Sequence, residues 1–373
     1  MEEVFYFTND GLCRASYRLD GGRPKTNPEH LWAASTQFLS LCKSTHSIQA
    51  ANGKIIAFYP LEEESILIYI SSNQYCPMAL YKFLRSQSVM ILSFSSNFIR
   101  PIHMNGMHIH NLLGAPRVYP RQYDKATYQL IQDLIVATSS PICALYAHNM
   151  IIIASDEFWK MTKRDIHAID LLVRHCEAPF TDQIIARENG KHERALIFHV
   201  FKSMKFVTIN GKAFDALQAA AQLLPEVLYK QADLLKTLEK TEPIVNNQDG
   251  VVAWIVHDLA THRFFGECPE ELEHQFIEMI CKCYDITDGM HRIKDISMRL
   301  ADHMFFYMPQ ILVKNTSYFA QPHFWTFFAM HDLHKSVEEI RKFSSQTLIH
   351  ILPYVKPVNS VEPFLQDVLN SIN

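Results

Sequence analysis

The sequence predicts an α/β protein made of three small modules, each an antiparallel sheet with packed helices. The main observation is a recurring pattern: two apolar strands form a hairpin and an amphipathic helix follows, at residues 55–94, 142–175 and 305–352. The chain of 373 residues is also long enough for two or three domains, each with its own core. The predicted domains are residues 1–122, 123–240 and 241–373.

The composition is that of an ordinary globular protein. Apolar residues make up 48% of the chain and charged residues 20%, which argues against a disordered protein. The net charge of −4 and the lack of long Lys/Arg runs argue against a nucleic-acid surface. The acidic start of the chain does not resemble a signal peptide, and the eight cysteines are scattered, so we expect a cytoplasmic protein with reduced thiols.

The clearest element is the hairpin and helix of residues 142–175. Two apolar runs, 142–146 and 150–153, flank a short turn, as expected of paired strands. Thr162 is placed as a helix N-cap, and Asp165 lies three residues later, where a negative charge favours the helix start. An apolar stripe then faces the hairpin, and the opposite face carries Lys163, Asp165, Arg174 and His175.

In the first module the predicted order is strand, strand, helix, strand, strand, helix. Asp10-Gly11 forms the first turn, and Asn27 caps a helix at Pro28–Leu41 that starts with proline. The predicted strands are residues 4–7, 12–19, 55–59 and 66–70, and the last helix covers 77–94. Residues 103–113 form a short helix or a loop.

The second and third modules continue the same pattern. Pro225 breaks or kinks one predicted helix, Pro353 ends another, and the polar residues 241–250 form a linker. The predicted helices are residues 124–137, 214–238, 269–283 and 335–352. The predicted strands are 195–201, 206–209, 305–313 and 323–330, and residues 250–262 with 264–265 form a strand pair or a strand and turn.

No motif for phosphate binding, a nucleophile elbow or a zinc protease is present. The cluster richest in metal-ligand residue types has the wrong spacing for a CxxC pair, so helix-face and loop residues with buried thiols are the favoured interpretation. This cluster comprises His257, His262, Cys268, His274, Cys281 and Cys283. An enzyme with a thiol or metal site near residues 268–283 remains the competing hypothesis. Cys76 at a helix start, Glu62 to Glu64 at a turn, and His331, Asp332 and His334 are weaker candidates.

Four aromatic residues are candidates for a partner interface. Trp32 and Phe38 lie on or beside the apolar stripe of the Pro28–Leu41 helix, and Phe158 and Trp159 lie between a strand and a helix. Aromatic side chains at such positions either close the core or anchor a partner. Both interpretations stay open for each pair.

The strand and helix order, together with several segments, resembles the trilongin family, which includes the Fuzzy and Mon proteins. The similar segments are residues 4–11, 64–72, 108–114, 156–173, 250–259 and 345–353. Residues 190–212, the block Phe158-Trp159-Lys160-Met161 and the lack of a long polar N-terminal extension favour the Fuzzy branch. Residues 108–114 resemble the Mon branch at least as well.

The resemblance implies three longin-like (roadblock/longin) modules and no cofactor or covalent chemistry. A Fuzzy-like protein pairs with an Inturned-like longin protein and acts with it on a Rab GTPase, as a guanine-nucleotide exchange factor or effector platform. Its processes are ciliogenesis, planar cell polarity and vesicle trafficking, and its expected location is the cytoplasm, including the ciliary base. A Mon-like protein pairs with a Ccz-like longin protein at the endosomal membrane surface in endosome maturation, and a non-catalytic trafficking adaptor is a further alternative. Peripheral membrane association fits all three. We expect Trp32 and Phe38 in the partner interface, with Phe158 and Trp159 as further candidates.

Overall fold

A computed structural model shows an α/β protein with three antiparallel sheets of five strands each, as the sequence predicts at this coarse level. The described residues are 2–18, 22–41, 47–49, 52–61, 65–72, 77–94, 108–119, 125–210, 213–240, 250–259, 262–287, 295–300, 303–313, 323–332 and 334–355. The chain divides into two compact units: Met1–Gly114 with Tyr284–Ile286, and Ala115–Cys283 with Thr287–Asn373. No helix among the described residues has the length and apolar character to cross a membrane.

The first sheet has helices on both faces. Its strands are β1 (Glu2–Phe7), β2 (Cys13–Arg18), β3 (Ser47–Gln49), β4 (Ile55–Pro60) and β5 (Ile66–Ser71), in the order β2-β1-β5-β4-β3. Its helices are α1 (Pro28–Leu41), α2 (Pro77–Ser93) and the short α3 (Ile109–Leu113). Leu31 of α1 packs with Phe5 and Phe7 in one apolar cluster. Tyr69 points to the opposite face, where its ring lies 5.1 Å from Phe83 of α2.

The second sheet repeats this arrangement with more helices. Its strands are β6 (Ile142–Ala147), β7 (Met150–Ala154), β8 (Phe180–Ala186), β9 (His192–Phe201) and β10 (Met204–Asn210), in the order β7-β6-β10-β9-β8. Its helices are α4 (Lys125–Thr138), α5 (Asp156–Trp159), α6 (Lys163–His175), α7 (Ala213–Lys230) and α8 (Ala232–Glu239). Leucines of α4, α7 and α8 cover the face that carries Phe206. On the other face Lys205 donates a hydrogen bond to the Val173 carbonyl of α6.

The third sheet follows the same plan. Its strands are β11 (Val251–Asp258), β12 (Arg263–Glu267), β13 (Ile296–Leu300), β14 (His303–Val313) and β15 (His323–Asp332), in the order β12-β11-β15-β14-β13. Its helices are α9 (Glu270–Thr287) and α10 (Val337–Val355). Phe276 of α9 packs edge-on against Phe305 at 5.2 Å. His331 lies on the opposite face of the sheet, where its Nε2 forms a 2.8 Å hydrogen bond with the Ser344 hydroxyl of α10.

The shared strand order shows that the hairpins matched with one another in the sequence are not the structurally equivalent ones. In every sheet the first strand pairs antiparallel with both the second and the last strand. The hairpin β6–β7 is therefore equivalent to β1–β2, whereas the sequence pattern matched it to β4–β5 and β14–β15. The mismatch has a simple cause: each sheet holds two hairpins followed by a helix, and the pattern alone does not distinguish them.

Each sheet lies inside one of the three predicted domains, but the second and third sheets belong to the same compact unit. Residues 115–119, which the sequence places with the first domain, also belong to this second unit. The domain boundaries themselves stay a prediction. The predicted linker lies outside the described residues, apart from Gly250.

Helix α6 differs from its predicted amphipathic environment. All its residues from Asp165 to Val173 are buried, including the two carboxylates Asp165 and Asp170. The predicted polar face is instead ion-paired: Asp165 with Arg187, and Asp170 with Arg174. The predicted N-cap is confirmed, because Thr162 Oγ1 accepts from the Asp165 amide at 3.2 Å.

Other differences concern the third strand of each sheet and two prolines. Strands β3, β8 and β13 were not predicted, and each forms one edge of its sheet. Helix α7 contains Pro225, and the interruption before α8 comes at Gln231. Helix α10 continues through Pro353 to Val355. Pro353 lies in the last turn of α10, where a proline costs less than in the middle of a helix.

Candidate partner interface

Helix α1 begins where the sequence predicts. The Asn27 side chain accepts a hydrogen bond from the Glu29 amide at 2.9 Å, and Pro28 occupies the first helical position. Leu31 and Ser35 are buried, whereas Ala34 is exposed. The side chain of Phe38 lies outside the described residues, so its part in an interface stays a prediction.

Trp32 lies half-buried on the turn between β1 and β2. Its ring centroid is 5.4 Å from that of Phe7, and its indole edge lies against Gly11. Gly11 has a φ of +81°, and a Cβ atom there would come within 2.5 Å of Trp32 Nε1. The turn that receives the tryptophan therefore requires glycine, both for its backbone conformation and for the close approach of the ring.

The β1–β2 turn is stiffened by Asp10. Its carboxylate accepts hydrogen bonds from Thr8 Oγ1 at 2.6 Å and from the Leu12 amide at 3.1 Å. The bond from Thr8, followed by the one from Leu12, lowers the pKa of Asp10. Leu12 remains 49% exposed in this turn. The turn thus holds an apolar side chain in solvent on a fixed backbone.

The outer face of α1 is exposed and carries small residues. His30, Ala33 and Ala34 are exposed, and Trp32 lies half-buried beside them. Small side chains allow another helix or sheet to approach the backbone closely, and a half-buried tryptophan is a frequent anchor at protein interfaces. Among the sequence candidates, Trp32 therefore has the surroundings that best fit a partner site.

Phe158 and Trp159 have different environments. Ser155 caps the short helix α5, and its Oγ accepts from the amides of Phe158 at 3.3 Å and Cys143 at 3.1 Å. Phe158 has none of its surface exposed, whereas Trp159 is half-buried and meets Phe158 edge-on at 5.2 Å. Phe158 would reach a partner only after this corner rearranged. Whether either residue contacts a partner stays a prediction.

The ring of Trp159 already faces a cation of the third sheet. The Arg263 guanidinium lies 5.5 Å from the centroid of Trp159 and 5.3 Å from that of Phe265. Nearby, Lys163 of α6 donates to the Leu259 carbonyl at 3.0 Å. A cation above an aromatic ring is attracted to the ring, and water weakens this attraction less at a half-buried site than at an exposed one. Trp159 therefore helps to join the second and third sheets.

Residues that the sequence did not single out form a charged junction between these two sheets. Arg117 is partly buried and donates a hydrogen bond to the Gly266 carbonyl. Burial, and then the nearby Arg174, lower the pKa of Arg117. Burial raises the pKa of Glu267 to about 7, although Arg117 opposes the shift. The one available signal was a lone arginine inside the apolar residues 112–119.

Of the candidate thiol and metal residues, His257 and His262 lie close together, with ring centroids 5.9 Å apart, and both are buried. Cys268 precedes helix α9, which carries His274, Cys281 and Cys283. No group of three or more His, Cys, Asp or Glu residues in the described part of the chain is arranged to hold a metal ion. Cys283 is fully buried, and burial raises its pKa, while burial raises the pKa of Cys268 to about 12. Both thiols are therefore protonated and weakly nucleophilic near neutral pH.

Of the weaker candidate site residues, the structure describes only His331, Asp332 and His334. Cys76 and Glu62 to Glu64 lie outside the described residues. His331 was expected among solvated residues at a helix start, but it lies fully buried in β15. Burial lowers the pKa of His331 to about 4, which keeps the imidazole neutral. His334 and Asp332 are exposed.

Comparison with known proteins does not add a family assignment. No protein-family profile matches the chain, and no curated protein matches it in sequence.

Proposed function

We propose that this chain is a Fuzzy-like subunit of a heterodimeric longin complex that acts as a nucleotide-exchange factor or effector platform for a Rab GTPase. The observation that carries the proposal is the threefold repeat of one strand order, with a helix on each face of every sheet. This arrangement fits the three longin-like modules that the sequence resemblance implies. Ciliogenesis, planar cell polarity and vesicle trafficking are the processes in which such a subunit would act.

The proposed partner site follows from comparing equivalent helices. Helices α1 and α6 both lie between the second and third strands of their sheets in chain order. Helix α6 is enclosed within the second unit, whereas α1 exposes Ala33 and Ala34 beside Trp32. We expect an Inturned-like longin protein to cover α1, because burial of such a face stabilises a complex.

The proposed activity requires no covalent step. An exchange factor binds the nucleotide-releasing conformation of a GTPase more tightly than the nucleotide-bound conformation, and this difference in affinity shifts the population. The chain would contribute surface and rigidity to that complex. No cofactor belongs to the proposal.

Reconstitution with an Inturned-like protein provides the test. We expect the two proteins to co-purify and to accelerate release of labelled nucleotide from a Rab GTPase. The substitution Ala34→Glu, on the exposed face of α1, should weaken pairing at least tenfold, because it places a charge in the interface. Val136→Glu on α4 is the matched control, since Val136 is 71% exposed and lies in the other unit. Undiminished pairing of the Ala34→Glu protein would exclude this interface.

The Mon-like alternative rests on residues 108–114. The Asn111 side chain accepts a hydrogen bond from the His108 amide at 3.1 Å at the start of α3, and Gly114 ends the helix with a φ of 62°. If the chain co-purifies with a Ccz-like longin protein and not with an Inturned-like one, an endosomal exchange factor replaces the Fuzzy-like assignment. Pairing without accelerated nucleotide release would identify a trafficking adaptor.

A further inference from the structure

Residues 116–119 run as an extended segment between two sheet edges. On one side the segment pairs in parallel with β7 of the second sheet. The Tyr119 amide donates to the Ile151 carbonyl at 2.9 Å, and the Ile151 amide donates to the Arg117 carbonyl at 2.9 Å. The edge strand β7 therefore has a hydrogen-bonded neighbour that belongs to neither sheet.

The other side of the segment pairs in parallel with β12 of the third sheet. The Val118 amide donates to the Phe264 carbonyl at 2.8 Å, and the Phe264 amide donates to the Pro116 carbonyl at 3.1 Å. Successive amides thus point to opposite edges, as they do in an ordinary strand. The segment fills the gap between two sheets in the way that a central strand fills a sheet.

The side chains of the segment also contact both sides. Val118 is only 2% exposed, and Tyr119 packs into the apolar cluster beneath the second sheet. Arg117 reaches the other way and donates to the Gly266 carbonyl of β12. The space between the two sheets therefore fits an arginine, a β-branched residue and an aromatic residue in succession.

The attachment of the segment is weaker than the pairing inside each sheet. It meets each edge at a single bridge, whereas β11 and β12 pair continuously from Trp254↔Glu267 to Asp258↔Arg263. The segment begins three residues after the end of α3 and belongs to the second compact unit.

From these contacts we propose that residues 116–119 are a detachable strap. The strap fills a strand-binding site between β7 and β12, and it leaves both edges in one step. When it is detached, the site accepts an extended peptide of the same chemical pattern, with an arginine followed by a β-branched and an aromatic residue. Strand addition of this kind supplies main-chain hydrogen bonds for affinity and side-chain contacts for specificity.

Amide hydrogen exchange of the full chain tests the one-step release. We expect the amides of Ile151 and Phe264 to become exchangeable through one shared opening, with the same dependence on dilute denaturant. That opening should be at least tenfold more frequent than the opening that exposes the central strands β10 and β15. Separate openings for the two amides, or release only with global unfolding, would overturn the proposal.

Two proline substitutions give a matched comparison. Val118→Pro removes a donor on the β12 side only, and Tyr119→Pro removes a donor on the β7 side only. A strap that leaves as a unit predicts that each variant raises exchange at both Ile151 and Phe264 by a similar factor of ten or more. The control variants Val118→Ala and Tyr119→Ala keep the backbone amides, so their exchange rates at Ile151 and Phe264 show how much of the effect comes from losing the side chain alone. An effect confined to the edge that lost its own bond contradicts one-step release.

A synthetic peptide tests the binding site itself. The peptide Gly-Ala-Pro-Arg-Val-Tyr-Pro copies residues 114–120. Added to the Val118→Pro protein, it should restore slow exchange at Ile151 and Phe264, whereas a peptide with glutamate in place of arginine should not. Equal restoration by both peptides would overturn the selectivity, and no restoration by either would overturn the site. Wild-type exchange serves as the reference if a proline variant fails to fold.

Discussion

Arg187 Nε donates to Asp165 Oδ2 at 2.7 Å and thereby ties the turn after β8 to the first turn of α6. The Glu188 amide donates to the other carboxylate oxygen at 2.9 Å. Asp165 is only 2% exposed, and both of its carboxylate oxygens accept hydrogen bonds from residues more than twenty positions away in the chain. One carboxylate therefore holds the helix, the hairpin β8–β9 and its turn in a fixed relation.

Replacing Asp165 should be costly. Asp165→Ala removes one of the two carboxylates that pair with Arg187, since Glu193 still contacts the guanidinium, and it also removes the acceptor of the Glu188 amide. We expect a loss of roughly 2 kcal/mol in the free energy of unfolding. The Lys160–Glu157 pair is the matched control, because both of its side chains are largely exposed and Glu157→Ala should cost less than about 0.5 kcal/mol. Urea denaturation measures both variants. Equal small losses would show that Asp165 is better solvated than its contacts indicate.

The N-cap of α6 gives a smaller, local effect. Thr162→Ala removes the side-chain acceptor for the Asp165 amide and should destabilise the protein by about 1 kcal/mol. Thr237→Ala in α8 is the control, because that hydroxyl bonds a carbonyl within its own helix and alanine is the better helix former. The expected order of midpoints in urea is Thr162→Ala below wild type, and Thr237→Ala equal to or above it.

Glu267 should make the second unit more stable in mild acid than in mild alkali. Burial raises its pKa from 4.5 to about 7, so the folded chain binds the proton more tightly than the unfolded chain. The stability that this provides is complete below about pH 4.5 and is lost as the pH rises through about 7. Because Glu267 is only partly buried, we expect a loss of roughly 1 kcal/mol.

The variant Glu267→Gln isolates this effect. Its unfolding free energy should lack the decline between about pH 4.5 and about pH 7 that Glu267 adds to the wild type. Comparing the two proteins across that range by urea denaturation removes the contribution of other titrating groups. Parallel pH profiles would show that the carboxyl titrates alike in the folded and unfolded chains.

His331 should act in the opposite direction. Its folded pKa is lowered from 6.5 to about 4 by burial, so the folded chain resists protonation. Stability is therefore present above about pH 6.5 and is lost as the pH falls toward about 4. We expect a loss of about 2 kcal/mol between pH 7 and pH 5 from this residue alone.

The substitution His331→Gln tests the assignment. Glutamine keeps a polar group near Ser344 but does not titrate, so the variant should be less stable at pH 7 and show a shallower decline in acid. Calorimetric midpoints at pH 5 and pH 7 give the comparison. An unchanged acid response would assign the decline to other titrating groups.

Local signals in the sequence predict much of this fold, and distant contacts explain the rest. Thr162, Asn27 and the turn at Asp10 and Gly11 act within a few residues, so their roles follow from the chain itself. Asp165 is different, because its burial depends on Arg187. Helical periodicity measures only the residues of the helix, and it assigned this carboxylate to a polar face.

The edge strands and the strap show the same limit. Strand β8 has exposed and partly buried residues in alternation, with exposed Phe180 and Ile184, and its apolar pattern is weak. Residues 116–119 form no strand with their sequence neighbours, and their partners are β7 and β12. Among the proposed anchors, the sequence located Trp32 on its helix but did not distinguish the buried Phe158 from the half-buried Trp159.

In every sheet the first strand pairs with the last one, so no sheet can be complete until its last strand has been synthesised. Glu3 pairs with Ile70, Tyr146 with Lys205, and Val256 with Phe327. During synthesis, the first hairpin of each sheet emerges long before the strand that completes it. Pairing between distant residues is slow, and a waiting hairpin exposes an apolar edge. Ribosome-bound intermediates that end before residue 66, 204 or 323 should therefore depend most on chaperones.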